Sequence, residues 1–292
     1  MNEKKFKLLV LPSVSNMRQV VARFPYPIEL TKGKYKEMEF IMKEGQAAIL
    51  LSGVDIRQFS FVWLCSSWGS RDLAYAIQLY LEKYKIPYTH VEKGTSKVTD
   101  HMLFSLNGIP APDTLYVGRK DVEKNLDRIR EVCGYPLIIK DIKGCQGAHL
   151  VKVESEKELL EKLTELPRHK KYIFQRYICN CFDWGVMVAD GVVVSGQKRF
   201  ACDGEFRNNV HKGAEEIFVD PVDIPEDLKQ MAINTGRALG LAWSRTDIII
   251  DEKTQKPYVL EVNRLPGITS KTSDVEGAYI FLSTQITAIA KK

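Results

Sequence analysis

No apolar run in this chain approaches the roughly 18 residues that a membrane-spanning helix needs. The charged start MNEKKFK is followed only by the short run LLVL, which reads as a first strand rather than a secretion signal. There is no C-x-x-C pair among the six cysteines, Cys65, Cys133, Cys145, Cys179, Cys181 and Cys202. Most sit in apolar surroundings, so they read as reduced thiols of a cytoplasmic protein. Cys179 and Cys181 are close enough in sequence to pair or to hold a metal, and the plainer reading is two free thiols. No block of like charge occurs. The net charge of +5 comes from 42 basic and 37 acidic residues spread along the chain, so neither a nucleic-acid partner nor a membrane surface is implied. Phosphate-binding glycine signatures of the Walker A and Rossmann types are absent, as are internal repeats and low-complexity tracts.

What is present is an ordinary globular composition over 292 residues, enough for two domains or three small ones. In the first hundred residues, KLLVL (7–11), AAILL (47–51) and FVWLC (61–65) have the continuous apolar character of buried strands. RDLAYAIQLYLEKY (71–84) carries apolar residues at helical spacing, and PYTHVE follows as a further strand. Strand, helix and strand with short links predict a small parallel α/β unit. Residues 13–45 show no clear period.

The proline-punctuated IPAPDT (109–114) marks a boundary. A helix is expected near 121–132, a strand at 135–140 and a second strand ending near 153. Ser155 and Glu158 form a capping-box pattern that opens a helix. YIFQRYI (172–178), WGVMVADGVVVSGQKRFA (184–201) and TDIII (246–250) read as antiparallel strands, with Asp190-Gly191 as a hairpin turn. DIPEDLKQMAINTGRALG is a helix entered near Pro225 and ended at Gly240. A last helix opens at the capping-box pattern Ser273/Glu276.

Three polar groupings stand out. TDIIIDEKTQKPYVLEVN reads as a hairpin centred near Thr254, which sets Asp247 opposite Glu261. Asn263, two residues further, shares the Glu261 face. Two carboxylates so close repel unless a positive group lies between them. Oxygen donors of this kind suit Mg²⁺ or Mn²⁺; the alternative is an edge sheet facing water. Lys140 ends an apolar strand just before Gly144-Cys145-Gln146-Gly147, a pattern that serves either a phosphate-covering loop or a plain hairpin. GEFRNNVHKG (204–213) gathers Arg207, Asn208, Asn209, His211 and Lys212, either as a solvated loop or as a clamp for phosphate and carboxylate.

Taken in order, SKVTDHMLFSLNGIPAPDT, PLIIKDIKGCQGAHLVKV, IFQRYI, FDWG, GQKRFACDGEFRNNVHKGA, RTDIII and LEVNRLPGI resemble the ATP-grasp superfamily. They look most like its RimK-type carboxylate–amine ligases, which include glutamate ligases. The likeness covers about residues 96–270. It implies an α/β (α+β) ATP-grasp fold with an N-terminal parallel α/β domain (1–95), a linker helix and small central lid (96–178), and a C-terminal antiparallel-sheet domain (179–292). It also implies ATP as co-substrate and two Mg²⁺ or Mn²⁺ ions.

By position, Lys97 and Lys140 would meet the nucleotide phosphates and the Gly144–Gln146–Gly147 loop would cover them. The hinge Gln175, Arg176, Tyr177 and Ile178 would read adenine, and Asp183 the ribose. Arg199, Arg207, Asn208 and Asn209 would face the γ-phosphate and the reacting carboxylate, with Arg207 and Arg199 as catalytic cations. Asp247, Glu261 and Asn263 would hold the metals. The chain departs from the family pattern at Arg176, where Glu is common, at Gly185, where Arg is usual, and at Arg264-Leu265, where smaller residues precede Pro-Gly.

The implied reaction joins a carboxylate and an amine through an acyl phosphate, the partners being an amino acid and an amino acid, peptide or protein tail. Homo-oligomerisation is a family-level expectation. A small-molecule kinase and a non-catalytic nucleotide-binding module are the rival readings.

Overall fold

The computed structural model describes residues 5–90, 94–144, 150–201, 214–270 and 272–290. The N-terminal region holds β1 (Phe6–Leu11), α1 (Met17–Val21), β2 (Ile28–Lys32), β3 (Met38–Lys43), β4 (Gln46–Leu51), β5 (Val54–Asp55), β6 (Phe61–Leu64) and α2 (Arg71–Lys83). β1 lies between β2 and β6 in a three-stranded parallel sheet. Its run LLVL (8–11) is apolar throughout because both faces are covered. Leu9 and Leu11 pack with α2 and β4, whereas Leu8 and Val10 pack toward the C-terminal half of the chain.

The AAILL strand does not join that sheet as expected. It belongs to β4, the middle of a separate antiparallel meander, β3-β4-β5. A short apolar run records burial and carries no strand direction, which is why the two were indistinguishable. Of PYTHVE (87–92), the described residues 87–90 contribute a bridge, Val62 with Tyr88.

α3 (Lys97–Leu106) leads into a four-stranded antiparallel sheet of order β7-β10-β8-β9, from β7 (Thr114–Leu115), β8 (Leu137–Asp141), β9 (Leu150–Val153) and β10 (Tyr172–Arg176). α4 (Leu126–Cys133) and α5 (Glu156–Glu165) cover one face, around Ile129, Leu137, Leu159 and Phe174. At the start of α5 the Ser155 hydroxyl accepts from the Glu158 N–H at 3.3 Å. The Glu158 carboxylate reaches back one residue beyond the cap, to the Glu154 N–H.

The third sheet is antiparallel, of order β13-β12-β11-β14-β15: β11 (Phe182–Ala189), β12 (Val192–Phe200), β13 (Glu215–Val219), β14 (Trp243–Ile250) and β15 (Pro257–Asn263). Asp190 and Gly191 turn β11 into β12 with positive φ at both residues, as a two-residue hairpin demands. Trp184, Val186 and Val188 point to one face, where α6 (Glu226–Leu239) and Phe104 of α3 pack. Met187 and Ala189 point to the other, where α7 (Ser273–Ala290) and the N-terminal sheet meet them.

The expected Ser273/Glu276 capping box does not form. Thr272 caps α7, its hydroxyl accepting from the Asp274 N–H at 3.3 Å, and Glu276 instead pairs with Arg23. No helix among the described residues is long and apolar enough to cross a membrane.

Candidate active site

The β14–β15 ladder places Asp247 directly opposite Glu261, and Arg245 opposite Asn263. This register depends on a bulge. Counted back from the pairs Ile250–Pro257 and Ile248–Val259, Asp247 would meet Leu260. The extra residue on β15 moves Glu261 into that place. Asn263 then donates its amide to Asp247 Oδ2 at 3.1 Å.

Both carboxylates have a cation beside them. Arg199 Nη2 lies 2.9 Å from Asp247 Oδ1, and Lys97 Nζ lies 4.0 Å from Glu261 Oε2. Burial pushes the Asp247 carboxyl above its usual range, against the pull of Arg199. The donor set is two carboxylates and an amide carbonyl, so it matches a hard divalent cation in charge and in chemistry. Arg199 and the Asn263 amide meet Asp247, and Lys97 lies beside Glu261.

Arg199 lies between two acids. Its Nε donates to Asp183 Oδ1 at 2.6 Å, from the directly opposite position on β11. Burial raises the Asp183 carboxyl. Burial also opposes the Arg199 charge, but Asp247 and Asp183 outweigh it and push that pKa up. The sequence expectation turned Asp183 toward a ribose and Arg199 toward a phosphate. Here the two are bonded to each other, both nine-tenths buried or more.

On the facing sheet, Lys140 of β8 donates to the amide oxygen of Gln175 of β10. Burial lowers the Lys140 pKa to about 8. Lys97, at the first turn of α3, donates to the carbonyl of Gly144, where the glycine-flanked loop begins. Lys97, Lys140 and Glu261 thus lie close enough to feel one another's charge. In the hinge, Arg176 turns outward to Asp113 at 3.3 Å and stacks on Tyr258. Tyr177 donates its N–H to the Pro136 carbonyl and carries Lys152 over its ring, and Ile178 is buried. Gln146, Gly147, Arg207, Asn208, Asn209 and His211 lie outside the described residues.

Two residues that sequence reasoning did not single out adjoin the site. Arg245 shares the Asp247 face of β14, pairs with Asp274 at 3.5 Å and reaches the Gly267 carbonyl. Its side chain and that of Gln197 fill the space over Gly185, where an added Cβ would meet Gln197 Cγ at 2.9 Å and Arg245 Cδ at 3.1 Å. The period-2 spacing of Arg245 and Asp247 was the signal available. Asp100 of α3 holds Arg264 in a two-point pair at 2.8 and 3.1 Å, which ties the end of β15 to α3. Arg264 also lies near the Trp68 ring, over which Arg71 stacks at 3.5 Å.

The arrangement agrees with what comparison with known proteins finds. A family model described as the RimK-like ATP-grasp domain matches residues 94–283. A probable alpha-L-glutamate ligase of Methanococcoides burtonii is 32% identical over 199 residues, 65% of this chain and 63% of that protein. A second, from Shewanella loihica, is 32% identical over 181 residues, covering 61% of this chain and 58% of its own length. The chain therefore spans about three-fifths of the length of these curated relatives. Among solved structures, D-alanyl-alanine synthetase A from Vibrio cholerae superposes with a TM-score of 0.71 at 15% identity, over 99% of this chain and all of that one. ATP-grasp ligase PsnB, complexed with minimal precursor, does so with a TM-score of 0.65 at 19% identity, over 94% and 98%. The likeness to these structures extends the shared fold over the N-terminal residues that the family model leaves out. On the family match, which spans more than half of its length, the chain belongs to the RimK-like ATP-grasp family.

Proposed function

We propose that this chain is an ATP-dependent carboxylate–amine ligase that forms an amide bond and releases ADP and phosphate. The observation that carries the reading is the Asp247–Glu261 pair with Asn263 beside it, set next to Lys97 and near the charge of Lys140. Two acids, an amide and two lysines gathered together suit a nucleoside triphosphate and its cations better than any other common ligand. On this reading the nucleotide lies between units 96–178 and 179–292, with 1–95 completing the substrate side.

Amide formation from a carboxylate is uphill in water, so the carboxylate is activated first. Its oxygen attacks the γ-phosphorus, the bond to the β–γ bridging oxygen breaks, and ADP leaves. The amine then attacks the acyl phosphate carbonyl, gives up a proton, and inorganic phosphate departs. The protein's part is placement and charge. Lys97 and Lys140 bind phosphate oxygens, and Arg207 steadies the transferring group. Arg199 pairs with Asp247 and aims it. Asp247, Glu261 and Asn263 would hold Mg²⁺, which supplies charge neutralisation along the phosphates. Arg245, beside Asp247 on the same face, is placed to meet the reacting carboxylate. The names of the curated relatives make L-glutamate the first amino acid to try.

The test is incubation with Mg-ATP, pooled amino acids and short acidic peptides, following ADP and product mass together. The expected result is amino-acid-dependent ADP and a product whose mass is the sum of two substrates less one water. Asp247→Asn and Glu261→Gln should each reduce turnover by a hundredfold or more. A product heavier by one phosphate would establish a kinase instead. Full turnover in both variants would remove the metal assignment.

A further inference from the structure

Gln175 lies almost entirely out of solvent, in the lid sheet, and its amide is bonded on every side. Its oxygen accepts from the Lys140 ammonium, and its nitrogen donates to Thr114 Oγ1 at 2.8 Å and faces His101 Nε2 at 3.2 Å. The orientation of this amide follows from its neighbours. Lys140 offers only hydrogens, so it requires the amide oxygen. The Thr114 hydroxyl spends its hydrogen on the Pro112 carbonyl at 2.7 Å, so it offers Gln175 a lone pair and requires the amide nitrogen. The two constraints are independent and they agree.

The second amide hydrogen then points at His101, whose Nε2 must be the acceptor. His101 is therefore neutral and carries its proton on Nδ1. Its surroundings agree: burial, with Lys140 and Lys97 nearby, lowers its pKa to about 3. The ring is held edge-on against Phe104 at 5.3 Å, and Phe104 belongs to the core beneath the C-terminal sheet. His101 also stands four residues after Lys97 on α3, on the same helical face. A chain of contacts thus runs from the rigid C-terminal core through His101 and Gln175 to Lys140 on the lid.

We propose that His101 and Gln175 are positioning residues that hold the Lys140 ammonium where it meets the nucleotide phosphates. His101 acts only through Gln175. Its neutral imidazole fixes the amide, and the amide oxygen fixes the ammonium. This inference rests on the proposed reading of Lys140 as a phosphate ligand. It predicts that the acceptor at position 101 matters and the imidazole as such does not. Gln offers a carbonyl oxygen at about the reach of Nε2, whereas Leu leaves a buried N–H without a partner.

The experiment is calorimetric binding of Mg-AMPPNP and, separately, of adenosine to the full chain and to His101→Leu, His101→Gln, Gln175→Leu and Lys140→Ala, each with its thermal transition. Expected are an AMPPNP Kd about tenfold weaker in His101→Leu and Gln175→Leu, recovery to within about threefold in His101→Gln, and adenosine binding unchanged in His101→Leu and His101→Gln. Equal weakening of adenosine and AMPPNP would overturn the proposal, since the pair would then be shaping the adenine hinge. Failure of His101→Gln to recover would overturn the acceptor role. An unchanged AMPPNP Kd in Lys140→Ala would overturn the reading of Lys140 itself, and the positioning role with it. Should His101→Leu not fold, Gln175→Leu and His101→Gln decide between these outcomes.

Discussion

Arg199 shows how one side chain can serve two acids. A guanidinium presents donors along a rigid planar fork, so Nε reaches Asp183 while Nη2 reaches Asp247. An ammonium has no such span. All three groups are buried, which makes the arrangement costly to break: removing the cation strands two carboxylates out of water. Arg199→Met is expected to destabilise the protein by about 3–5 kcal/mol, the usual range for breaking a buried ion pair, as read from the urea midpoint at constant slope. A loss below about 1 kcal/mol would mean that water or an ion already serves the carboxylates. This role was hidden in the sequence. Arg199 and Asp183 are sixteen residues apart, and only the β11–β12 register puts them side by side. By contrast, Asp247, Glu261 and Asn263 were legible as one group, because the polar loop marks a hairpin and a period of two sets the face, although the exact pairing of Asp247 with Glu261 comes from the bulge and not from the loop.

At the scale of elements, legibility followed the strength of local signals. The helix over 71–83 and the Asp190-Gly191 turn were readable from spacing and turn chemistry alone. Residues 13–45 were not. Their strand β3 is partly exposed, with Met42 78% open to solvent, so no apolar period marks it. The bulge beside Glu261 was equally silent, since one extra strand residue leaves no trace in composition. The end of α6 was clear: Gly240 closes it with a φ of 69°, a left-handed cap that other residues adopt at a cost. A Cβ there would also come within 2.9 Å of His90 Nε2. Gly240→Ala should therefore cost about 1–2 kcal/mol, from the left-handed backbone and the displaced ring. AMPPNP affinity should be unchanged, because the added Cβ meets His90 and none of Lys97, Lys140 and Glu261. Differential scanning with and without nucleotide checks both parts, and an altered ligand-induced shift would show that α6 is coupled to the cleft.

For the whole molecule, the question is whether the N-terminal α/β unit folds on its own. The sequence boundary near residue 95 suggests independence, but the packing argues against it. Trp63 of β6 meets Trp243 of β14 at 5.2 Å and Phe281 of α7 at 5.1 Å, both edge to face. One apolar core holds Leu8, Val10 and Trp63 together with Met187, Trp243, Ala278 and Phe281. The last helix therefore joins the first sheet to the last one, and with α1 it covers the Leu8–Val10 face of β1. Separating the units would return the part of that face under α7 to water, at roughly 25 cal/mol for each Å² of apolar surface. Such a core should melt cooperatively. Phe281→Ala should cost about 3–5 kcal/mol, the range for emptying a buried aromatic site. The loss should appear in both halves at once: tryptophan fluorescence, which reports Trp63 and Trp68 in the N-terminal unit and Trp184 and Trp243 in the C-terminal one, and far-ultraviolet ellipticity should shift to the same lower midpoint. Two separated transitions in the variant would show that the N-terminal sheet can stand without α7. In that case the shared aromatic core would be an interface between two domains rather than a common interior.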